Sequence, residues 1–226
     1  MTAEDPVEYN LMGINQVLVR NEVGLTFAAA LKAFLRQDPN IIMIGEIRDL
    51  ETGGIAIKAA LTGHLVLSTL HTNDAPSAVS RLLELGVPAY LLNATLNGVM
   101  AQRLVRTLCP HCKQKVEFNR VEEHQAWDAL VAPWKSNRPA HVYKPVGCLE
   151  CRMTGFLGRV GIYETLVFSD EVKKLLHENA DPGAIREQAF KEGMKPLRIS
   201  GALKVGAGLT TVEEVLKVAP PVRGGG

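Results

Sequence analysis

The sequence predicts an α/β fold, and three observations carry that expectation. Segments of strand and helix character alternate through residues 1–107. Two short, almost purely apolar runs, "IIMI" at 41–44 and "HLVLSTL" at 64–70, have the composition of parallel strands flanked by helices. Beyond residue 107 the pattern breaks, and four cysteines in two Cys-x2-Cys pairs mark a segment of another kind.

Taken in order, "QVLV" (16–19) reads as a short strand, and "LTFAAALKAFLRQDP" carries a helix. Thr26 is its N-cap, Leu31, Phe34 and Leu35 share one face, and Asp38-Pro39 ends it. "IIMI" follows as a central strand expected to be buried on both faces. A helix rich in Ala and Ile comes next, over 51–61, and then 64–70 as a second buried strand. "HTNDAPSAVSRLLELG" opens another helix, with Asn73 or Asp74 near its cap. Through 108–160, cysteine, proline and glycine become frequent and periodicity fades. From 161 to 218 helical patterns return in "SDEVKKLLHEN", "DPGAIREQAFKEG" and "TTVEEVLKVA". Ser169, Asp181 and Thr210 or Thr211 are N-cap candidates, and Pro182 suits a first helical position. The segments expected are therefore 1–107, 108–160 and 161–226, the last ending in a frayed tail, "APPVRGGG".

Bulk properties narrow the function. A chain of 226 residues can bury a real core in one large or two modest domains. With 46% apolar and 22% charged residues it has the balance of a soluble globular protein. A net charge of +1 gives no electrostatic basis for nucleic acid or an acidic membrane surface, so no nucleic-acid partner is expected. No apolar run approaches the roughly 18 residues that span a bilayer. The acidic, proline-containing start, "MTAEDPVEYN", is unlike a signal peptide. A cytoplasmic protein is expected, whose cysteines bind metal in preference to forming disulfides.

Polar groups gather where the strands end. Glu46, Arg48 and Asp49 follow strand 41–44, and His71, Thr72, Asn73 and Asp74 follow strand 64–70. Ligands of open α/β sheets bind beyond the carboxyl ends of the strands, and parallel neighbours bring both clusters to one edge. A third group, Glu4, Asp5 and Glu8 in "EDPVE", stands near the amino terminus. Together they suit a site that holds Mg²⁺, orients a water and senses a terminal phosphate. Each cluster alone also fits solvated turn residues; joint placement is what favours a site.

The cysteines form a separate signal. Cys109 and Cys112 make one pair, Cys148 and Cys151 the other, with 35 residues between the pairs. Two tight knuckles supply four thiolates, the closed tetrahedral shell of a structural Zn²⁺. The intervening segment, with Trp127 and Trp134, is expected to form a small subdomain, and His111, between two ligands, to be exposed.

"AEDPVEY", "GLTFAAALKAFLRQDPNIIMIGEIRDLET" and "ALTGHLVLSTLHTNDA" together resemble the secretion ATPases that power type IV pilus assembly and type II secretion. The resemblance covers most of residues 2–218 and also takes in "TGFLGRVGIYE" and the tetracysteine module. It implies a RecA-like P-loop NTPase core over 1–107, a zinc module over 108–160 and a small helical domain over 161–226. By that resemblance "EDPVE" is the aspartate box, "IIMIGEIRD" the Walker B segment and "TGHLVLSTLHT" the histidine box. Glu46 is then the Walker B glutamate near Mg²⁺, Glu4 the water-activating acid, and His71, with His64, lies near the γ-phosphate. Glu8, Arg36 and Arg48 are further candidates for nucleotide, metal or charge contacts, the arginines at the site or across a subunit interface. The alternative readings are that Arg36 caps its helix and that Arg48 pairs with Asp49 or Glu51. Which glutamate is the base and which holds metal stays open. In "TGFLGRVGIYE", Gly158-Arg159 is either a contact with a neighbouring subunit or a loop leading into a strand.

A phosphate loop, Gly-x4-Gly-Lys-Ser/Thr, is missing from the 226 residues. Lys135-Ser136 is the only Lys followed by Ser or Thr, and no glycine stands in the positions before it. The resemblance places that loop upstream of the aspartate box, so the RecA-like core is expected to be incomplete and this chain alone to hydrolyse ATP little or not at all. The implied function is part of a homo-hexameric motor that couples ATP hydrolysis to pilus assembly, docking on an inner-membrane platform protein. Type II secretion is the alternative motor reading; a non-catalytic, zinc-stapled interaction module is the alternative of another class.

Overall fold

The computed structural model describes residues 1–134 and 136–221. Lys135 and residues 222–226 of the tail expected to be frayed lie outside the described residues. The chain divides into two compact units, one of Met1–Thr72, Pro76–Gly98 and Phe168–Gln188, the other of Asn73–Ala75, Val99–Val167 and Ala189–Gly226.

The first unit is built on a four-stranded parallel sheet in the order β2-β1-β3-β4. Its strands are β1 (Thr2–Glu4), β2 (Gln16–Leu18), β3 (Ile41–Ile44) and β4 (Leu65–Ser68). Register pairs Thr2 with Gln16, Ala3 with Ile44 and Ile44 with Ser68, so the carboxyl ends of all four strands share one edge. Helices α1 (Phe27–Phe34) and α2 (Leu50–Leu61) cover one face. Thr26 and Asp49 start them, each side chain accepting the N–H three residues on, from Ala29 at 3.1 Å and Thr52 at 2.7 Å. The core under these helices joins Ala3, Leu31, Phe34, Ile42, Ile44 and Ala59. Each large side chain fully buried there contributes about 1.5–3 kcal/mol of transfer free energy.

Two expectations about this sheet are corrected. β3 buries only alternate residues: Ile42 and Ile44 face the helices, while Ile41 is 52% exposed. β4 is not a buried strand, since Leu65 and Leu67 are each about half exposed. The cause is position in the sheet. β4 stands at the edge of the sheet, and Ile41, Leu65 and Leu67, which share one face, are each about half exposed.

Further helices follow: α3 (Ala75–Glu84), α4 (Ala89–Thr95), α6 (Asp170–Lys174), capped by Ser169, and α7 (Pro182–Lys191). Asp181 accepts the N–H groups of Gly183 and Ala184, and Pro182 takes the first helical position.

In the second unit, β5 (Gly98–Leu108) pairs with β8 (Phe156–Val167). β8 takes residues 161–167 out of the span expected to be helical, because its alternating buried positions Ile162, Glu164 and Leu166 fit a strand. The unit's boundaries also fall elsewhere than the compositional ones at 107 and 160. β6 (Gln114–Glu117) and β7 (His141–Lys144) form an antiparallel pair. α5 (Val121–Val131), α8 (Leu197–Gly206) and α9 (Val212–Val218) pack on one another.

The segment between the cysteine pairs is therefore not a core of its own. Trp127, Leu130 and Val131 of α5 share one cluster with Leu197 and Val205 of α8 and Val212 and Val215 of α9. Gly201 of α8 lets α9 come close, because a Cβ there would stand 2.2 Å from Val215 Cγ1.

Candidate functional site

Strand ends build the first cluster. Beyond β3 the chain passes Gly45, whose missing side chain leaves room for the Ala3 carbonyl at 3.1 Å and the Phe27 ring at 3.2 Å from a built Cβ. The Gly45 N–H donates to that carbonyl at 2.8 Å, tying the exit of β3 to β1. On the other side Ile47 N–H donates to Thr69 O at 3.2 Å, tying the exits of β3 and β4 together. The residues that follow the three strands are thus held on one edge.

There Glu46 accepts a close ion pair from Arg48 Nη2 and contacts His71 Nε2 at 3.1 Å. Arg48 Nη1 also lies 3.7 Å from Asp5 Oδ2, beyond β1, and its guanidinium sits 5.9 Å from the Phe27 ring centroid. Glu46 is largely covered, at 14% side-chain exposure, whereas His71 is 89% exposed. The Arg48 hydrogen bond, followed by the charges of Arg48 and His71, outweighs burial and lowers the Glu46 carboxyl below its ordinary value. Glu46 therefore stands ionised, as a metal ligand or base must.

Glu4 ends β1 and is followed by Asp5 of this cluster. Its Oε1 accepts from Thr2 Oγ1 at 2.6 Å and from Gln16 Nε2 at 2.8 Å.

The structure thus gathers Asp5, Glu46, Arg48 and His71, with Glu4 on the adjoining strand end. It does not gather the others. His64 precedes β4, at the opposite edge of the sheet, and its Nδ1 lies 2.9 Å from Ala59 O and 3.1 Å from Thr62 Oγ1 at the end of α2. The length of β4 separates it from His71, about 13 Å at 3.3 Å per residue. Arg36 follows α1 on the connection entering the amino end of β3, exposed and again on the far edge. Glu8 is exposed in the connection 5–15. Arg48 does not pair with Asp49 or Glu51, because Asp49 caps α2 and Glu51 takes Lys32 at 2.7 Å. Sequence reasoning left out Thr2 and Gln16, which become visible only once β1 and β2 are known to pair in parallel.

The second cluster belongs to the second unit. Cys109 and Cys112 follow β5, Cys148 and Cys151 precede β8, and all four sulfurs lie within 4.8 Å of one another. Cys109–Cys148 and Cys112–Cys151 are 3.8 Å apart and Cys148–Cys151 3.7 Å. Four sulfurs at about 2.3 Å from a tetrahedral ion stand about 3.8 Å from one another, so the donor set fits such a metal and is too open for disulfides. Backbone N–H groups point at the sulfurs: Gly147 to Cys112 at 3.3 Å, and Cys148 and Gly155 to Cys151 at 3.2 Å. Burial opposes a thiolate at Cys151, but these two N–H donors and the neighbouring thiols prevail and bring it down to about 6. Gly155, at φ +75°, holds the turn where a Cβ would strike Pro145 at 2.4 Å. His111 is exposed and outside the cluster.

Comparison with known proteins gives the family. A family model described as "Type II/IV secretion system protein" matches residues 1–217. The type IV pilus assembly ATPase PilB of Myxococcus xanthus (strain DK1622) is 53% identical over 222 residues, covering 98% of this chain and 39% of that protein. The type II secretion system protein HxcR of Pseudomonas aeruginosa is 50% identical over 218 residues, covering 96% of this chain and 42% of its own length. Among solved structures, the pilus retraction motor PilT with bound ADP aligns at TM-score 0.65 and 27% identity, over 98% of this chain and 52% of that one. The chain spans about two-fifths of the length of the curated relatives it matches. With a parallel α/β sheet, a polar cluster at its carboxyl edge and about half of its residues shared with these relatives along nearly its whole length, the chain belongs to the type II/IV secretion system protein family.

Proposed function

We propose that these residues form the acid-bearing half of an ATP site in a hexameric motor for type IV pilus assembly. One observation carries the reading: Glu46, Arg48, Asp5 and His71 meet at the carboxyl edge of a parallel sheet, where α/β proteins bind ligands. Glu46 is ionised and sheltered, suited to a metal or a proton. The exposed His71 can turn toward a terminal phosphate. Glu4, with Oε1 engaged, keeps its second oxygen for a water. Mg²⁺, when bound, neutralises phosphate charge, and the carboxylates of Glu46 and Asp5 are the oxygen donors that would hold it. Arg48 positions Glu46. Arg36, on the far edge, is assigned to a neighbouring subunit.

The four cysteines are read as a structural zinc site. Among the described residues no helix is long and apolar enough to cross a membrane. Action at the cytoplasmic face, on an inner-membrane platform protein and without nucleic acid, fits the near-neutral charge. Because a type II secretion protein is 50% identical, the same motor serving type II secretion is the second reading.

The 226 residues hold no Gly-x4-Gly-Lys-Ser/Thr, so the purified chain is expected to release phosphate from ATP slowly or not at all. Steady-state phosphate release, compared with Glu46→Gln, tests this. A robust rate that the substitution abolishes overturns the expectation about the isolated chain while supporting the role of Glu46.

A further inference from the structure

The geometry points to Gln16 as a positioning residue for Glu4. β1 and β2 run in parallel with Thr2 beside Gln16 and Glu4 beside Leu18, so Thr2, Glu4 and Gln16 project from the same face of the sheet. The Gln16 carboxamide nitrogen donates to Glu4 Oε1 at 2.8 Å and to the Tyr9 carbonyl at 2.9 Å. Its oxygen accepts the Leu11 N–H at 2.7 Å. The orientation of the amide follows from these partners, since a carbonyl cannot donate and an N–H cannot accept. Thr2 Oγ1 donates to the same Glu4 oxygen at 2.6 Å.

Two donors on one oxygen do two things. They hold the carboxylate in one rotamer, and they leave Oε2 without a hydrogen bond among the described residues. A base or water-orienting group needs this arrangement: one oxygen anchored, the other presented. The same carboxamide ties down the connection 5–15 through Tyr9 and Leu11, and that connection begins with Asp5, the second partner of Arg48. One side chain therefore sets both the acid at the end of β1 and the loop that leaves it.

The catalytic purpose of this positioning rests on the reading of Glu4 as the group that orients water; the positioning itself does not. The test uses the 226-residue chain labelled with ¹³C and ¹⁵N, in three forms: native, Gln16→Leu and Gln16→Glu. The Glu variant keeps an acceptor for the Leu11 N–H but loses the donor to Glu4, which separates positioning from loop closure. In the native chain Glu4 is expected to show one side-chain rotamer. In both variants it is expected to average over several, its native rotamer losing about three- to tenfold in population ratio, the value of one hydrogen bond. The Leu11 amide is expected to stay protected from exchange in Gln16→Glu. A single unchanged Glu4 rotamer in both variants overturns the inference, and so does Glu4 averaging in Gln16→Leu alone, which would mark a loop effect.

Mn²⁺ added alone separates this from the site reading. Broadening of the Glu46 and Glu4 carboxyl carbons in the native chain supports the site. Its weakening at Glu4 only, in the variants, supports positioning toward that site. No broadening at either residue in the native chain overturns the site reading, while the rotamer comparison still decides the role of Gln16.

Discussion

Arg106 and Glu214, 108 residues apart in sequence, meet in a two-pronged ion pair, with Nε 2.9 Å from Oε2 and Nη2 2.7 Å from Oε1. Glu214 is covered, at 8% side-chain exposure, and it also takes Lys217 Nζ at 2.9 Å. Thr211 caps α9 three residues earlier, so Glu214 lies in its first turn, where the helix dipole favours a negative charge. The pair fixes α9 to β5, and Thr210 Oγ1 adds a bond to the Arg106 carbonyl at 2.8 Å. Arg106 in turn stacks 4.1 Å from the Phe156 ring of β8.

Acid should therefore loosen this attachment. The Arg106 hydrogen bonds, joined by Lys217, overcome burial and hold the Glu214 carboxyl down at about 2. A carboxyl depressed in the folded state stabilises it fully above the unfolded value, near 4.3, and ceases to do so as pH falls toward 2. Because Arg106 is about half exposed, solvent screening reduces the contribution to about 1–2 kcal/mol. Thermal unfolding between pH 5.0 and 2.5 should lose stability by that amount, and Glu214→Gln should remove this component of the slope. Equal slopes in the two proteins would count against the pair.

How much of this was legible beforehand depends on distance along the chain. The ends of β3 and β4 were readable because apolar runs followed by Glu46 or His71 are local patterns. So were the caps Thr26, Ser169, Asp181 and Thr211, and the two cysteine knuckles. What stayed hidden is relational. The exposure of Leu65 and Leu67 follows from the place of β4 in the sheet, which no periodicity reports. The Gln16–Glu4 bond needs the parallel register of β1 and β2, and the Arg48–Asp5 contact needs β1 and β3 as neighbours. The strand character of 161–167 likewise depends on β5 as a partner. The distance between the two histidines was hidden for a simpler reason: "TGHLVLSTLHT" reads as one motif, although His64 and His71 bracket a strand and so lie at opposite edges of the sheet.

Metal removal should act beyond the cysteines. Leu108 N–H donates to Leu209 O at 2.8 Å and Lys113 Nζ to Gly208 O at 2.7 Å, so residues flanking the first knuckle hold the turn between α8 and α9. Zinc analysis of purified chain should give about one ion per chain. Chelation at neutral pH should lower the thermal midpoint by roughly 10 °C, since structural zinc contributes folding free energy directly. Hydrogen exchange should then rise at residues 207–211 as well as at the knuckles. Four titratable thiols without zinc in freshly prepared protein would argue against the metal site.

The contact between α8 and α9 offers the sharpest steric test. A Cβ on Gly201 would stand 2.2 Å from Val215 Cγ1 and 2.9 Å from its Cγ2, nearer than any real contact. Val215 is fully buried in the cluster with Val205, Leu197 and Trp127, so its side chain has no free volume to enter. Gly201→Ala should consequently destabilise the second unit by about 1–3 kcal/mol despite the better helix propensity of alanine. Val215→Ala, by deleting two buried methyl groups, should cost a similar amount on its own. Combined, the two changes remove the clash and refill part of the cavity, so the double variant should be more stable than the sum of the single losses predicts. Urea unfolding of the four proteins measures that coupling. Strict additivity would mean the helices separate to admit the methyl group, and that the glycine is not what sets their distance.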